Sequence, residues 1–296
     1  MDASERTNLA ALATPPKSKR VMLVMPAGPG TAEISTAHRF FHPFAQGEQP
    51  FELLHGYTGG SALANTFNRL WSEGLGMYLR YGVTHFAMLH ADVRPDEGWL
   101  QTLMEELERT GADVISAVSA IKDSHGVTST GLGNPDDPWS YKRLTLSELA
   151  AFPQTFDATD LGHPDDVLLV NTGCWLADLR RPWWLKQKPN GELLFCFTQQ
   201  DRILYFPERE KHLFEIEFLP EDWWFSRLCH QVGAKVKATR KVNCIHYGRN
   251  LWPADHAWGD WDFDAGPAYM PAERVSPAPI EDESGSLIGE AQLVEV

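Results

Sequence analysis

The chain has 296 residues, enough to bury a substantial core as one large domain or two small ones, and a formal net charge of −14. That acidity argues against a broad nucleic-acid footprint, although a local basic groove is a separate quantity. No apolar run approaches the roughly 18 residues a membrane span needs, and four scattered cysteines without a CxxC pair point to reduced thiols rather than a zinc ribbon or disulfide framework.

Residues 1–18 carry no signal-peptide core and read as a flexible lead, which predicts a cytoplasmic protein. "VMLVMPAG" (Val21 to Gly28) is a buried strand that enters a loop at Pro26, Ala27 and Gly28. "FELLHGY" is a second strand, followed by a turn at Gly59 and Gly60. In "SALANTFNRLWSEGLGMYLRYG", Leu63, Phe67, Leu70 and Trp71 recur at helical spacing, with Ser61 as a candidate N-cap. "THFAMLHAD" is then a buried strand, "DEGWLQTLMEELERTG" an amphipathic helix closed by Gly111, and "ADVISAVSAI" another strand. This alternation predicts an α/β fold with a mixed, mainly parallel sheet flanked by helices, in a single domain over 19–266.

From about Lys122 to Asp166 the chain is rich in Gly, Pro and Asp and reads as loops with one short helix near "TLSELAAF". "DDVLLVNTGCWLADL" returns to strand character. "EDWWFSRLCHQVG" is a helix stopped by Gly233, and "AKVKATRKVNCIHYG" a strand pair or one long strand. Residues 267–296, dominated by Pro, Ser and acids, read as an acidic disordered tail.

In open α/β sheets ligands bind beyond the carboxyl ends of the strands. Pro26 to Gly28, His90-Ala91-Asp92 and His246 fall at such positions. Two residues at i and i+2 around a turn can point at one ion, and a distant His can complete the set. His, carboxylate and His suit a borderline divalent metal. Plainer uses exist for each: a strand-end histidine, an Asx turn leading to Pro95, a buried imidazole.

These motifs, in this order, resemble the nucleotide-sugar glycosyltransferases of the GT-A fold. "FAMLHADVRPDEGWL" is similar to the family's Asp-x-Asp phrase, with His90 in place of the first Asp and Asp92 at the second. The preceding helix resembles the one that carries an Arg/Asn pair near the nucleotide, here Asn68 and Arg69. "NTGCWLADL" resembles the segment lining donor sugar and acceptor, which implicates Asn171, Thr172 and Gly173. "PEDWWFSRLCHQVGAKV" resembles the late acidic motif, and "NCIHYG" the strand whose His completes a metal site. The resemblance covers roughly Lys19 to Asn250. It implies a nucleotide-binding half over 19–121 and an acceptor half over 122–266.

A metal-dependent transfer from a nucleotide-diphosphate sugar to an acceptor hydroxyl is therefore expected, with Mn²⁺ or Mg²⁺ held by Asp92, His246 and His90. The ion would stabilise charge developing on the leaving diphosphate. Arg249 is a candidate phosphate partner, and Pro26, Ala27 and Gly28 would let backbone approach the nucleoside. Deprotonating the acceptor calls for a carboxylate. Asp222 and Glu221 are the candidates, although acids at a helix start also complement its dipole. Trp223 is a candidate sugar platform among eleven tryptophans, eight of which lie from Trp175 onward. "DHAWGDWDFDAG" reads as a lid or an ordinary packed loop.

Acceptors consistent with this chemistry are a polysaccharide, a protein, a small molecule or a hydroxymethylated base in viral DNA. Net charge counts against DNA, and Lys235, Lys237, Arg240 and Lys241 are the one basic run that could meet a phosphate backbone, or else the solvated face of an edge strand. The alternatives are an Fe(II)/2-oxoglutarate oxygenase, whose facial triad would be His90, Asp92 and His246 on a double-stranded β-helix, and a nucleotidyltransferase, for which no Gly-rich loop with a Lys is present. A non-catalytic sugar-binding module would account for the tryptophans without needing the triad.

Overall fold

The computed structural model describes residues 19–259 apart from 28–31, 61, 124, 210, 212, 249 and 250. Gly28, Ser61, Arg249, the last part of the candidate lid and the acidic tail therefore lie outside the described residues.

In chain order the strands are β1 (Arg20–Ala27), β2 (Glu52–Gly59), β3 (His85–Leu89), β4 (Val93–Pro95), β5 (Val114–Ala117), β6 (Val127–Gly133), β7 (Tyr141–Thr145) and β8 (Thr155–Phe156). They continue as β9 (Val167–Leu169), β10 (Cys174–Asp178), β11 (Gln200–Tyr205), β12 (Phe214–Leu219), β13 (Val236–Thr239), β14 (Cys244–Tyr247) and β15 (Leu251–Pro253). The helices are α1 (Ile34–Phe41), α2 (Leu63–Tyr81), α3 (Trp99–Thr110), α4 (Leu146–Leu149) and α5 (Glu221–Val232). No helix among the described residues is long and apolar enough to cross a membrane.

A seven-stranded sheet, ordered β2-β1-β3-β10-β5-β13-β8, forms the centre. Residues alternate between its faces, as the pleat requires. Val21, Leu23 and Met25 pack with Ala87, Leu89, Ile115 and Leu176 against Leu100, Leu103 and Leu107 of α3. Met22, Val24, Phe86, Met88 and Trp175 pack on the other face against Phe67, Leu70 and Trp71 of α2 and Phe225 of α5. Burial on both faces is why these strands read as continuous apolar runs. The α2 contact is close enough that a Cβ at Gly74 would come 2.5 Å from the Phe86 ring.

The expected helices at α2, α3 and α5 form, and the last two stop at Gly111 and Gly233, with φ of 64° and 77°, in the left-handed region that favours glycine. The sheet is parallel only in part. The β1–β2, β1–β3 and β5–β13 pairings are parallel, while β10 runs antiparallel to β3 and β5, and β8 antiparallel to β13. A buried strand reads alike in either direction, and the direction of β10 follows from where its incoming connection arrives.

That connection is the second departure from expectation. The stretch expected to be loops holds β6, β7 and β8 as well as the short α4, and β6 joins β7 and β9 in a small antiparallel sheet. β13 and β14 belong to different sheets and do not pair. β14 lies between β4 and β15. Helix α1 has no counterpart in the sequence reading. It spans eight residues and buries only Thr36 and Phe40, too short a stripe to stand out. The β11–β12 hairpin makes a separate two-stranded sheet. Because β10 and β13 insert beside strands from before residue 122, the two halves of the sequence share one sheet.

Candidate functional site

The carboxyl ends of β1 and β3 open on a cleft of about 460 Å³, lined by Pro26, Ala32, Glu33, Leu63, His90, Ala91 and Asp92. Pro26 and Ala27 are still paired with Thr58 and Gly59 of β2, so the chain reaches this rim as strand. Glu33 is committed locally. Its carboxylate caps α1 by accepting from Thr36 N at 3.0 Å, and its own N–H donates to Ala91 O at 2.9 Å.

His90 follows β3 and is fixed by its backbone N–H, which donates to Gly173 O at 2.8 Å. Its ring tilts against Phe67, 5.0 Å between centroids. Burial pushes its pKa down to about 4, and Nε2 is buried with no hydrogen-bond partner. A neutral imidazole is what such surroundings favour.

Asp92 and His246 do come together. β14 pairs antiparallel with β4, placing His246 opposite Val93, and Tyr247 N donates to Asp92 O at 2.8 Å. His246 Nδ1 donates to Ala120 O at 2.9 Å, which turns Nε2 toward Asp92 Oδ2, 3.5 Å away. A backbone carbonyl that fixes one imidazole nitrogen is the usual way a ligating histidine is oriented. The same carboxylate oxygen holds Lys122 Nζ at 2.5 Å. Burial alone would raise the Asp92 carboxyl, but His246 and Lys122 beside it outweigh that and hold it well below the usual carboxylate range.

Among the described residues, no group of three or more His, Cys, Asp and Glu side chains is placed to hold a metal ion. Of the expected set, Asp92 and His246 are in contact, a lysine already sits on the carboxylate, and His90 lines the same cleft as Asp92. These residues do not fit a three-ligand divalent centre. The open sheet flanked by helices is likewise not the double-stranded β-helix that the oxygenase alternative requires.

The segment after β9 supports this rim. Asn171 Nδ2 donates to Ala117 O at 2.8 Å, and its Oδ1 accepts from Gly173 N at 2.9 Å. A Cβ at Gly173 would lie 3.2 Å from Asn171 Oδ1 and 3.3 Å from Val93 Cγ2, so a side chain there would press both neighbours outward by a few tenths of an ångström. Thr172 is buried and its Oγ1 has no partner. Ser226 of α5 donates to Asp222 O at 2.9 Å within its helix and accepts from Val170 N at 3.1 Å, tying the helix that carries the acids to the same segment.

Glu221 and Asp222 open α5, as expected. Burial, then the neighbouring Glu221 carboxylate, push Asp222 up to about 8, with Arg143 pulling the other way. Glu221 is also raised, by burial. Two adjacent carboxyls in a poorly solvated place cannot both ionise easily, and that pattern recurs at catalytic acids and bases.

Other candidates have structural employment. Asn68 places both amide groups on Phe197, donating to its O and accepting from its N at 2.8 Å each. Arg69 is exposed on α2. Trp223 is fully buried. It packs on Tyr141, 4.7 Å between centroids, beneath Arg143 at 4.2 Å, and donates to Ser129 O, so it is a core residue rather than a sugar platform. Trp175 and Trp184 are core residues too. The basic run is engaged internally: Lys237 with Asp157 and Asp160, Lys241 with buried Glu106, and Arg240 with Phe152 O. β13 is flanked by β5 and β8 and is not an edge strand.

Nothing local in the sequence marks Lys122 as a site residue. It sits in a Gly/Asp-rich stretch with no periodicity, and only the fold brings that turn to Asp92.

No protein-family model matches the chain, and no curated protein matches it. Among solved structures the chain is similar to the crystal structure of A197 from STIV, with 12% identity, coverage of 81% of this chain and 94% of that one, and a TM-score of 0.41. A likeness this distant carries no argument for fold or activity.

Proposed function

We propose that the chain is a glycosyltransferase of the GT-A type that moves a sugar from a nucleotide-diphosphate sugar to an acceptor hydroxyl. The observation that carries this reading is the strand-end cleft at β1 and β3, with Asp92 on its rim and His246 and Lys122 converging on one carboxylate oxygen. Position beyond the carboxyl ends of parallel strands is where such sheets take ligands.

In the reaction, the acceptor oxygen attacks the anomeric carbon and its proton passes to a carboxylate. The bond from that carbon to the diphosphate breaks, and the electron pair leaves on the phosphate oxygen. Asp222 is the proposed base. Its carboxyl is pushed up to about 8, so the ionised form that accepts the proton grows in only as pH rises toward that value. No step in this scheme is assigned to the expected Mn²⁺ or Mg²⁺: Asp92 and His246 are the side chains that would hold it, and Lys122 already sits on the Asp92 carboxylate. The acceptor stays a class, a hydroxyl of a polysaccharide, protein, small molecule or modified base, since fold does not fix it.

The test is a panel of nucleotide sugars, with EDTA and separately with Mn²⁺, read by thermal stabilisation and by slow donor hydrolysis in mass spectrometry. Stabilisation and hydrolysis with at least one donor are expected. Indifference to every donor under both conditions would overturn the reading.

A further inference from the structure

The Lys122 ammonium sits on the Asp92 carboxylate, and its stem runs past a glycine. At that residue, Gly248, a Cβ would lie 3.1 Å from Lys122 Cδ, so the glycine leaves the room the stem occupies. The turn that carries it is fixed by Ile121 N donating to Val127 O and Asp123 N donating to Ile121 O, both at 2.9 Å. Ala120, two residues earlier, bridges to Thr128 and accepts the Nδ1 hydrogen of His246. One short turn thus orients His246 and delivers an ammonium to Asp92.

We propose that Lys122 supplies the positive charge that meets the diphosphate of the donor at this cleft, in the place where a divalent ion was expected. This rests on the glycosyltransferase reading. A metal bound to a carboxylate oxygen stands about 2.0–2.2 Å from it. The lysine Nζ, 2.5 Å from Asp92 Oδ2, already holds that approach, and a second cation there would be repelled. An ammonium has three N–H donors. Asp92 takes one, and with the side chain 40% exposed the others are open to phosphate oxygens. Asp92 then acts as a positioning residue, and the charge that grows on the leaving phosphate oxygen falls beside Lys122.

The probes are ADP, GDP, CDP, UDP and dTDP, titrated calorimetrically in EDTA and again in Mn²⁺, against the unaltered protein, Lys122→Met and Lys122→Arg. At least one nucleoside diphosphate is expected to bind in EDTA. Lys122→Met should weaken it by about tenfold or more, and flatten its salt dependence, as loss of one charge-assisted contact predicts. Lys122→Arg, which keeps the charge and guards against simple misfolding, should stay within about threefold. Binding that needs Mn²⁺, or that is indifferent to Lys122→Met, overturns the assignment while leaving the glycosyltransferase reading intact. No binding of any probe under either condition removes that reading and this inference together.

Discussion

His246 Nε2 lies 3.5 Å from Asp92 Oδ2 because β14 and β4 pair in a register that sets His246 opposite Val93. The two side chains come from distant parts of the sequence, and one ladder of backbone hydrogen bonds fixes their separation. The pair is only partly covered, with side-chain exposures of 21% for His246 and 42% for Asp92. Solvent at that level screens the interaction, so its value to stability is small.

Asp92→Asn should therefore shift the urea unfolding free energy by about 1 kcal/mol or less. Donor hydrolysis should fall by about tenfold or more, because Lys122 and His246 lose the group that orients them. Equilibrium unfolding and mass spectrometry on the same samples separate the two effects. A large stability loss with unaltered donor chemistry would make the pair a structural one.

Asp222 gives a pH signature. Its folded value is raised to about 8 from an ordinary 3.8. A raised value means that the folded state holds the proton more tightly, so this group's contribution is fully present below the ordinary value and is lost as pH rises through about 8. The melting temperature should fall across that window, and Asp222→Asn should flatten the fall. If Asp222 is the base, transfer rates should climb as pH approaches 8, and Asp222→Asn should abolish that climb. Parallel pH profiles of melting and rate check both.

Asn171→Ala removes the partner of two buried backbone groups, Ala117 O and Gly173 N. Buried groups left unpaired cost more than the net worth of the lost bonds, so a destabilisation of about 2–4 kcal/mol is expected in urea unfolding. Because Gly173 O also accepts the His90 N–H, donor binding should weaken in the same variant. A change within about 0.5 kcal/mol would show that the segment relaxes freely.

Much of the nucleus was legible in the residues. The runs around Val21 and Phe86 and the stripe of Phe67, Leu70 and Trp71 have the periods of buried strands and an amphipathic helix, and they became β1, β3 and α2. The Gly111 and Gly233 stops were legible for the same local reason. The strand-end position of His90 and Asp92 was visible too, as was the approach of Asp92 to a late histidine. Composition does not report which face of a helix is covered, so it does not separate the buried Trp223 from an exposed platform.

The sequence by itself determined the local periods, the helix stops and the polar residues that close β3, since each depends on neighbours a few positions apart. Tertiary structure alone decided the direction of β10, the excursion through β6 to β9, the burial of Trp223 and the arrival of Lys122 at Asp92. Those outcomes depend on how distant segments pack and on which backbone ladder each strand joins, and no local pattern carries that information.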